Sequence, residues 1–240
     1  MGLRAAVFGA TGGIGGAIVA QLAQSDSYSE IHAGGRNLPS AARGAAIPFT
    51  FDLTDEASIA QAAHLIGEAG PLDLAVVATG ILQDHGSLAP EKSWRALDGA
   101  ALAEVYAINA IGPALVAKHI LPVMRRDGRA VFAGLSARVG SITDNRLGGW
   151  HSYRASKAAL NMLFRNFAIE FATKNPEGIV VTIHPGTVDT ALSRPFQRGV
   201  PQDRLFDPQR SAREILCVLD GLSPSDSGGL FAWSGERIHF

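Results

Sequence analysis

The chain has 240 residues, 47% of them hydrophobic and 18% charged, so it can bury a sizeable core and is not a disordered tail. Its formal net charge is −1 and its basic residues are scattered, which excludes a nucleic-acid or anionic-membrane surface as a leading reading. Cys217 is the single cysteine, so no internal disulfide can form, and a reducing cytoplasmic setting is the expectation; no charged-then-apolar leader opens the chain.

Short apolar runs alternate with helix-like stretches along the chain. The runs are "RAAVFGA", "EIHAGGR", "IPFTFDL", "LDLAVVATG", "RAVFAGLSA", "IVVTIHPG" and "GLFAWSG"; several are apolar throughout, as parallel strands buried on both faces must be. Helical periodicity covers residues 14–24, 56–68, 102–124, 153–173 and 211–219. Repeated βα units of this kind predict an α/β fold, a three-layer doubly wound parallel sheet of about seven strands. No Pro/Ser-rich linker or repeat divides the chain, so residues 1–240 are expected to form one domain, with 191–208 as a long functional excursion. The hydrophobic stretch at 5–23 carries five glycines and divides into strand, turn and helix; a membrane span is not expected.

"AVFGATGGIGGAI" places Gly9, Gly13 and Gly15 between the first strand and the first helix. A phosphate-bearing cofactor needs such a turn, because side chains there would keep it from the backbone N–H groups, and a helix N-terminus favours the negative charge. Gly9, Thr11, Gly13, Ile14 and Gly15 are therefore candidate cofactor contacts, against the plainer reading of a tight turn. The second strand ends "HAGGRN", offering Arg36 where a carboxylate would hold the ribose 2′-hydroxyl of NAD. A guanidinium suits a 2′-phosphate, so NADP(H) is favoured and NAD(H) stays open. Asp52, followed by Leu53, either meets the adenine amino group or caps the next helix.

In "WHSYRASKAALNM", Tyr153 and Lys157 are four residues apart on one helical face. A nearby ammonium favours the phenolate, so the phenol is expected to titrate below its usual value of about 10 and to exchange a proton with a carbonyl oxygen. Taken alone, the pair is an ordinary helix face.

Glycine turn, Tyr-x-x-x-Lys and "HPGTVDT", in this order along essentially the whole chain, resemble the short-chain dehydrogenase/reductase family. "GSITDNRLGGWHSYRASKAALNM" is most similar to its sniffer-like carbonyl reductases and bacterial C-factor proteins. The resemblance implies an NAD(P) cofactor, a small carbonyl or alcohol substrate, and hydride transfer, with Tyr153 as general acid/base and Lys157 as its electrostatic and ribose-holding partner. It implies that Asn109 in "YAINAIG" helps hold a water chain leading from the lysine. Among the cofactor contacts, Pro185 and Gly186 would turn the chain after the sixth strand, and the Val188 backbone and Thr190 hydroxyl would bind the nicotinamide carboxamide. Where the family commonly has Asn-Ala-Gly after its fourth strand, this chain has Ala78, Thr79 and Gly80. The family's catalytic serine aligns with Ala137 in "LSARVG"; Ser136 is the candidate replacement, with Ser141 and Thr143 as other hydroxyl donors. Adjacent residues on a strand face opposite sides, so Ser136 needs a local bend to reach the site.

The seven histidines are dispersed without metal-ligand spacing, so no metal is expected. The helices at 102–124 and 153–173 resemble the family's dimerising pair, implying a homodimer or homotetramer. Two rivals stay open: a cofactor-binding regulatory protein of C-factor type with little turnover, and an epimerase or dehydratase on the same scaffold.

Overall fold

The computed structural model describes residues 2–37, 46–84, 86 and 88–240. Strands β1 (Leu3–Phe8), β2 (Tyr28–Gly35), β3 (Ile47–Thr50), β4 (Leu74–Val77), β5 (Ala130–Leu135), β6 (Gly178–His184), β9 (Leu230–Ala232) and β10 (Arg237–Ile238) form one sheet. Its order is β10-β9-β6-β5-β4-β1-β2-β3. The seven expected strands run parallel, and β10 adds an antiparallel edge that no periodicity could announce in two residues. Two further short strands, β7 (Thr187–Val188) and β8 (Leu205–Phe206), pair with each other in parallel.

Alternation along β1 shows how the layers are fixed. Ala6 and Phe8 face helices α2 (Glu56–Glu68), α4 (Gly112–Ile120) and α5 (His151–Ala172), meeting Ile59, Val116, Leu160 and Phe164. Ala5 and Val7 face α1 (Gly13–Ala23) and α6 (Pro208–Gly221), meeting Ile18, Leu22, Ile215 and Leu219. Both faces are covered, as a sheet with uninterrupted apolar strands requires.

The stretch expected as one helix over 102–124 is broken up: α3 (Gly99–Tyr106), a π-turn (Ala107–Ile111), α4, then a 3₁₀ turn. Pro113 lacks the N–H that would bond the carbonyl of Asn109 four residues earlier, so the regular ladder cannot run through this point. The chain widens into a single π-turn instead, a device common at functional sites. The run Gly99–Val123 is long and apolar enough to cross a membrane by length and composition. Here it lies in a helical layer, with Val116, Ala117 and Ile120 buried in the core beside α2 and α5.

Candidate active site

The strand order reverses at β1 and β4, and a crevice opens beyond the C-terminal ends of these strands, where open α/β sheets bind ligands. The glycine turn forms its floor. Gly9 has φ +93°, and a Cβ on it would press against the Thr79 side chain and the Ala78 backbone. A Cβ on Gly15 would stand 2.2 Å from the Gly9 carbonyl oxygen, so α1 can approach the turn only through a glycine. Gly12 caps α1 with no side-chain hydrogen bond, and no acidic residue occupies the first turn. The N–H groups there are left to an outside anion.

One cavity of about 320 Å³ is lined by Gly9, Thr11, Arg36, Asp52, Leu53, Ala78, Thr79 and Gly80, among others. Arg36 is exposed at the end of β2. Asp52 accepts from the backbone N–H and hydroxyl of Thr54, which hold its carboxyl below the usual range, with a smaller contribution from Arg36. Asp55, not Asp52, caps α2 through the Ala57 N–H. A second cavity, of about 400 Å³, continues along Gly12, Gly13, Ile14, Ala78, Thr79, Gly80, Ser136, Tyr153, Lys157, Pro185 and Thr190. Thr79 borders both, and its hydroxyl is buried without a partner in the protein. The bare helix start, the glycine cradle and this orphaned hydroxyl fit an elongated phosphate-bearing ligand that supplies the missing partners.

A third cavity, also of about 400 Å³, adjoins the second and shares Ile14, Ser136, Tyr153, Pro185, Thr190 and Leu192 with it. Gly186 and Val188 line it with Val139, Trp150, His184, Phe196 and Val200. Of the excursion's apolar residues, Leu192, Phe196 and Val200 reach this cavity. Leu205 and Phe206 instead form β8, with Phe206 packed edge-on to Trp233 at 4.6 Å. The β7–β8 ladder closes the excursion at its base.

Tyr153 and Lys157 stand in the first two turns of α5, with Lys157 Nζ 5.8 Å from the phenol ring centre. Lys157 is buried and donates to the Leu135 carbonyl at 2.8 Å. Burial pushes the Tyr153 phenol up to about 12 and the Lys157 ammonium down to about 8. The expected lowering of the phenol is thus reversed: desolvation disfavours the phenolate and sets the direction. Asn109 is fully buried in the π-turn. Its Oδ1 accepts from the Ile81 N–H and its Nδ2 donates to the Ile81 carbonyl, both at 2.8 Å. Nδ2 also donates to Ser156 Oγ, which donates to the Tyr153 carbonyl. Asn109 therefore ties the groove wall to the helix of the tyrosine.

Ser136 borders both the second and third cavities, but its hydroxyl donates to Asn161 Oδ1 at 2.8 Å. Ser141 donates to the His239 carbonyl, and neither it nor Thr143 lines the cavity beside Tyr153. Ala137 and Arg138 do line it. The sequence reading missed Trp150, Val139 and His184 as wall residues; "HPG" held the one visible signal for His184. Burial brings the His184 imidazole down to about 4, so it is neutral at ordinary pH. Among the described residues no group of His, Cys, Asp and Glu could hold a metal ion.

Residues 4–200 match the family described as short chain dehydrogenase. The chain belongs to the short-chain dehydrogenases. This dehydrogenase is 31% identical over 251 aligned positions to cis-4-hydroxycyclohexanecarboxylate dehydrogenase of Sinomonas cyclohexanicum, covering 96% of this chain and 94% of that one. It is 38% identical over 149 positions to the C-signal protein of Myxococcus xanthus, covering 60% and 84%. Its fold is similar to that of an NADPH-bound carbonyl reductase from chicken fatty liver, with TM-score 0.85 and 26% identity over 100% of this chain and 94% of that one. The family membership makes this dehydrogenase an NAD(P)-dependent oxidoreductase of the short-chain type.

Proposed function

We propose that the chain reduces the carbonyl of a small, mainly apolar substrate with NADPH. The observation that carries this reading is that Tyr153 borders both the cofactor groove and the adjoining apolar cavity. When bound, the cofactor supplies a hydride. Tyr153 holds the proton that the new alkoxide needs, and its raised phenol keeps that proton available throughout the physiological range. The Lys157 ammonium stabilises the phenolate left behind and would hold the nicotinamide ribose. Val188 and Thr190, set by the Pro185–Gly186 turn, would hold the carboxamide. Ser136 borders both cavities, and its hydroxyl would polarise the carbonyl once it turns its proton away from Asn161. Arg36 would pair with a 2′-phosphate and Asp52 would meet the adenine amino group, both from the walls of the same cavity. The cavity walls Val139, Trp150, Leu192, Phe196 and Val200 accept an apolar ring or chain, the last three coming from the 191–208 excursion. The name of the Sinomonas relative supports an alicyclic alcohol or ketone as the substrate class.

A cytoplasmic location and a homodimer or homotetramer belong to the same reading. Exposed Ile111, Met162 and Ile169 on the π-turn and α5 support self-association. NADPH and NADH oxidation, followed against a panel of aldehydes, cyclic ketones and quinones, tests the proposal. The unmodified chain is expected to prefer NADPH, and Arg36→Asp to lose about tenfold or more of that preference through the repelled 2′-phosphate. Equal use of both cofactors by the unmodified chain would overturn the NADPH assignment. Cofactor binding without turnover on any member of the panel would favour the regulatory rival.

The titrations set a pH profile. Reduction requires Tyr153 protonated, which holds up to about 12, and Lys157 charged, which holds below about 8; His184 stays neutral above about 4. At saturating NADPH, kcat/KM for the carbonyl is therefore expected to be level between roughly pH 6 and 7 and to fall as pH rises through about 8. A profile that climbs through pH 8 would contradict the assigned role of Lys157.

A further inference from the structure

The start of α5 is built in an unusual way. Trp150, its N-cap, has φ 51° and ψ 42°, a left-handed conformation disfavoured for a bulky side chain, and it offers no capping group. Such conformations persist only where the surroundings impose them. Here the surroundings are Glu91. Its backbone carbonyl accepts from the Trp150 N–H at 2.5 Å, and its carboxylate accepts from the Ser152 N–H at 3.2 Å and from the Ser152 hydroxyl. Glu91 and Ser152 are both buried. Burial pushes the Glu91 carboxyl up, yet the hydrogen bonds from Ser152 and from its own N–H, with a smaller contribution from His151, together outweigh it, and the group lies below the usual range and ionised. A carboxylate at this place also complements the positive end of the helix that Trp150 cannot cap.

The residues held in this way flank the chemistry. Tyr153 follows Ser152 directly. The Trp150 ring stands 6.2 Å from the Tyr153 ring and 5.1 Å from Phe196, and Trp150 and Phe196 together border the substrate cavity and a neighbouring cavity under Pro90.

We propose that Glu91 is a positioning residue: it pins the first turn of α5 so that the Tyr153 hydroxyl faces the groove and the Trp150 indole walls the substrate cavity. This rests on the reading of Tyr153 as the proton donor. Glu91 touches neither substrate nor cofactor; it acts through Ser152 and Trp150.

The test compares Glu91→Ala and Glu91→Gln with the unmodified chain in three measurements: carbonyl kinetics, NADPH affinity by fluorescence, and amide hydrogen exchange. Glu91→Ala is expected to lower kcat/KM for the carbonyl by about 10–10²-fold, the scale of an outer-shell or sub-ångström misplacement. NADPH affinity should stay within about twofold, since the phosphate contacts lie on the β1–α1 turn and at the end of β2, and Lys157, the ribose contact on α5, stands beyond the pinned residues 150–156. Exchange should rise in residues 150–156 and stay unchanged in the β1–α1 region. Glu91→Gln keeps an oxygen for the Ser152 N–H and should restore most of the activity and of the protection. Unchanged kinetics in Glu91→Ala, or a loss with no local rise in exchange, would overturn the proposal; so would a loss of NADPH affinity parallel to the loss of activity. Should the reading of Tyr153 itself be wrong, the unmodified chain and Tyr153→Phe would turn over alike, while the exchange comparison would still report whether Glu91 pins the helix.

Discussion

Tyr153→Phe is expected to lower kcat for carbonyl reduction by about 10²–10⁴-fold, the range associated with losing a positioned general acid, while NADPH affinity changes by less than about threefold. The substitution deletes one oxygen and leaves the ring that packs against Trp150 at 6.2 Å, so the helix start and both cavities keep their shape. Because burial holds the phenol protonated to about 12, the unmodified enzyme always presents a proton in the reductive direction, and the variant never does. The neighbouring walls Val139, Leu192 and Phe196 offer no proton donor to replace it. The measurement is steady-state kinetics beside cofactor titration; a variant retaining a third or more of the activity would assign the proton to another group.

Lys157→Met is expected to combine a loss of about 10²-fold or more in kcat/KM with a melting temperature equal to or above that of the unmodified chain. Lys157 is 3% exposed and gains one protein hydrogen bond, to Leu135. Burial brings its ammonium down from 10.5 to about 8, so the folded state releases the proton more readily than the unfolded chain. The sign follows from linkage: between about pH 8 and 10.5 the unfolded state binds more protons, so stability rises with pH, and below pH 8 the buried charge lowers stability by its full amount. A methionine follows a similar unbranched path without a charge to desolvate, at the expense of the Leu135 contact. Thermal melts from pH 7 to 10 on both proteins check this. A melting temperature several degrees lower in the variant, with activity near normal, would make Lys157 a structural residue instead.

Much of this site was legible before any coordinates. The glycine turn, Arg36 at the end of β2, the Tyr-x-x-x-Lys spacing and the "HPGTVDT" turn each depend on backbone geometry or on helical periodicity, which local sequence carries. The parallel sheet followed from apolar runs of the right length. What stayed hidden depends on partners far apart in the chain. Glu91 meets Ser152 across 61 residues, and no motif marks an acid that caps a distant helix. Ser136 could be named, but its engagement with Asn161 is a contact of packing. The direction of the Tyr153 shift differs from the expectation for a related reason: the charge of Lys157 is visible in sequence, whereas burial of the phenol emerges only in the folded chain. The π-turn is the exception. Pro113 stands four residues after Asn109 in the sequence and could have announced the break in the helix.

The account's central claim is that hydride passes directly from the dinucleotide in the groove to a carbonyl held against Tyr153. Deuterium transfer tests it most directly: NADPH labelled at the transferring position of the nicotinamide is incubated with the enzyme and a cyclic ketone, and the product alcohol is read by mass spectrometry. The account predicts that the label appears on the carbinol carbon with the unmodified chain, and that labelled alcohol forms about 10²–10⁴-fold more slowly with Tyr153→Phe. NADPH that binds but is never consumed, or an alcohol formed without the label, would contradict it.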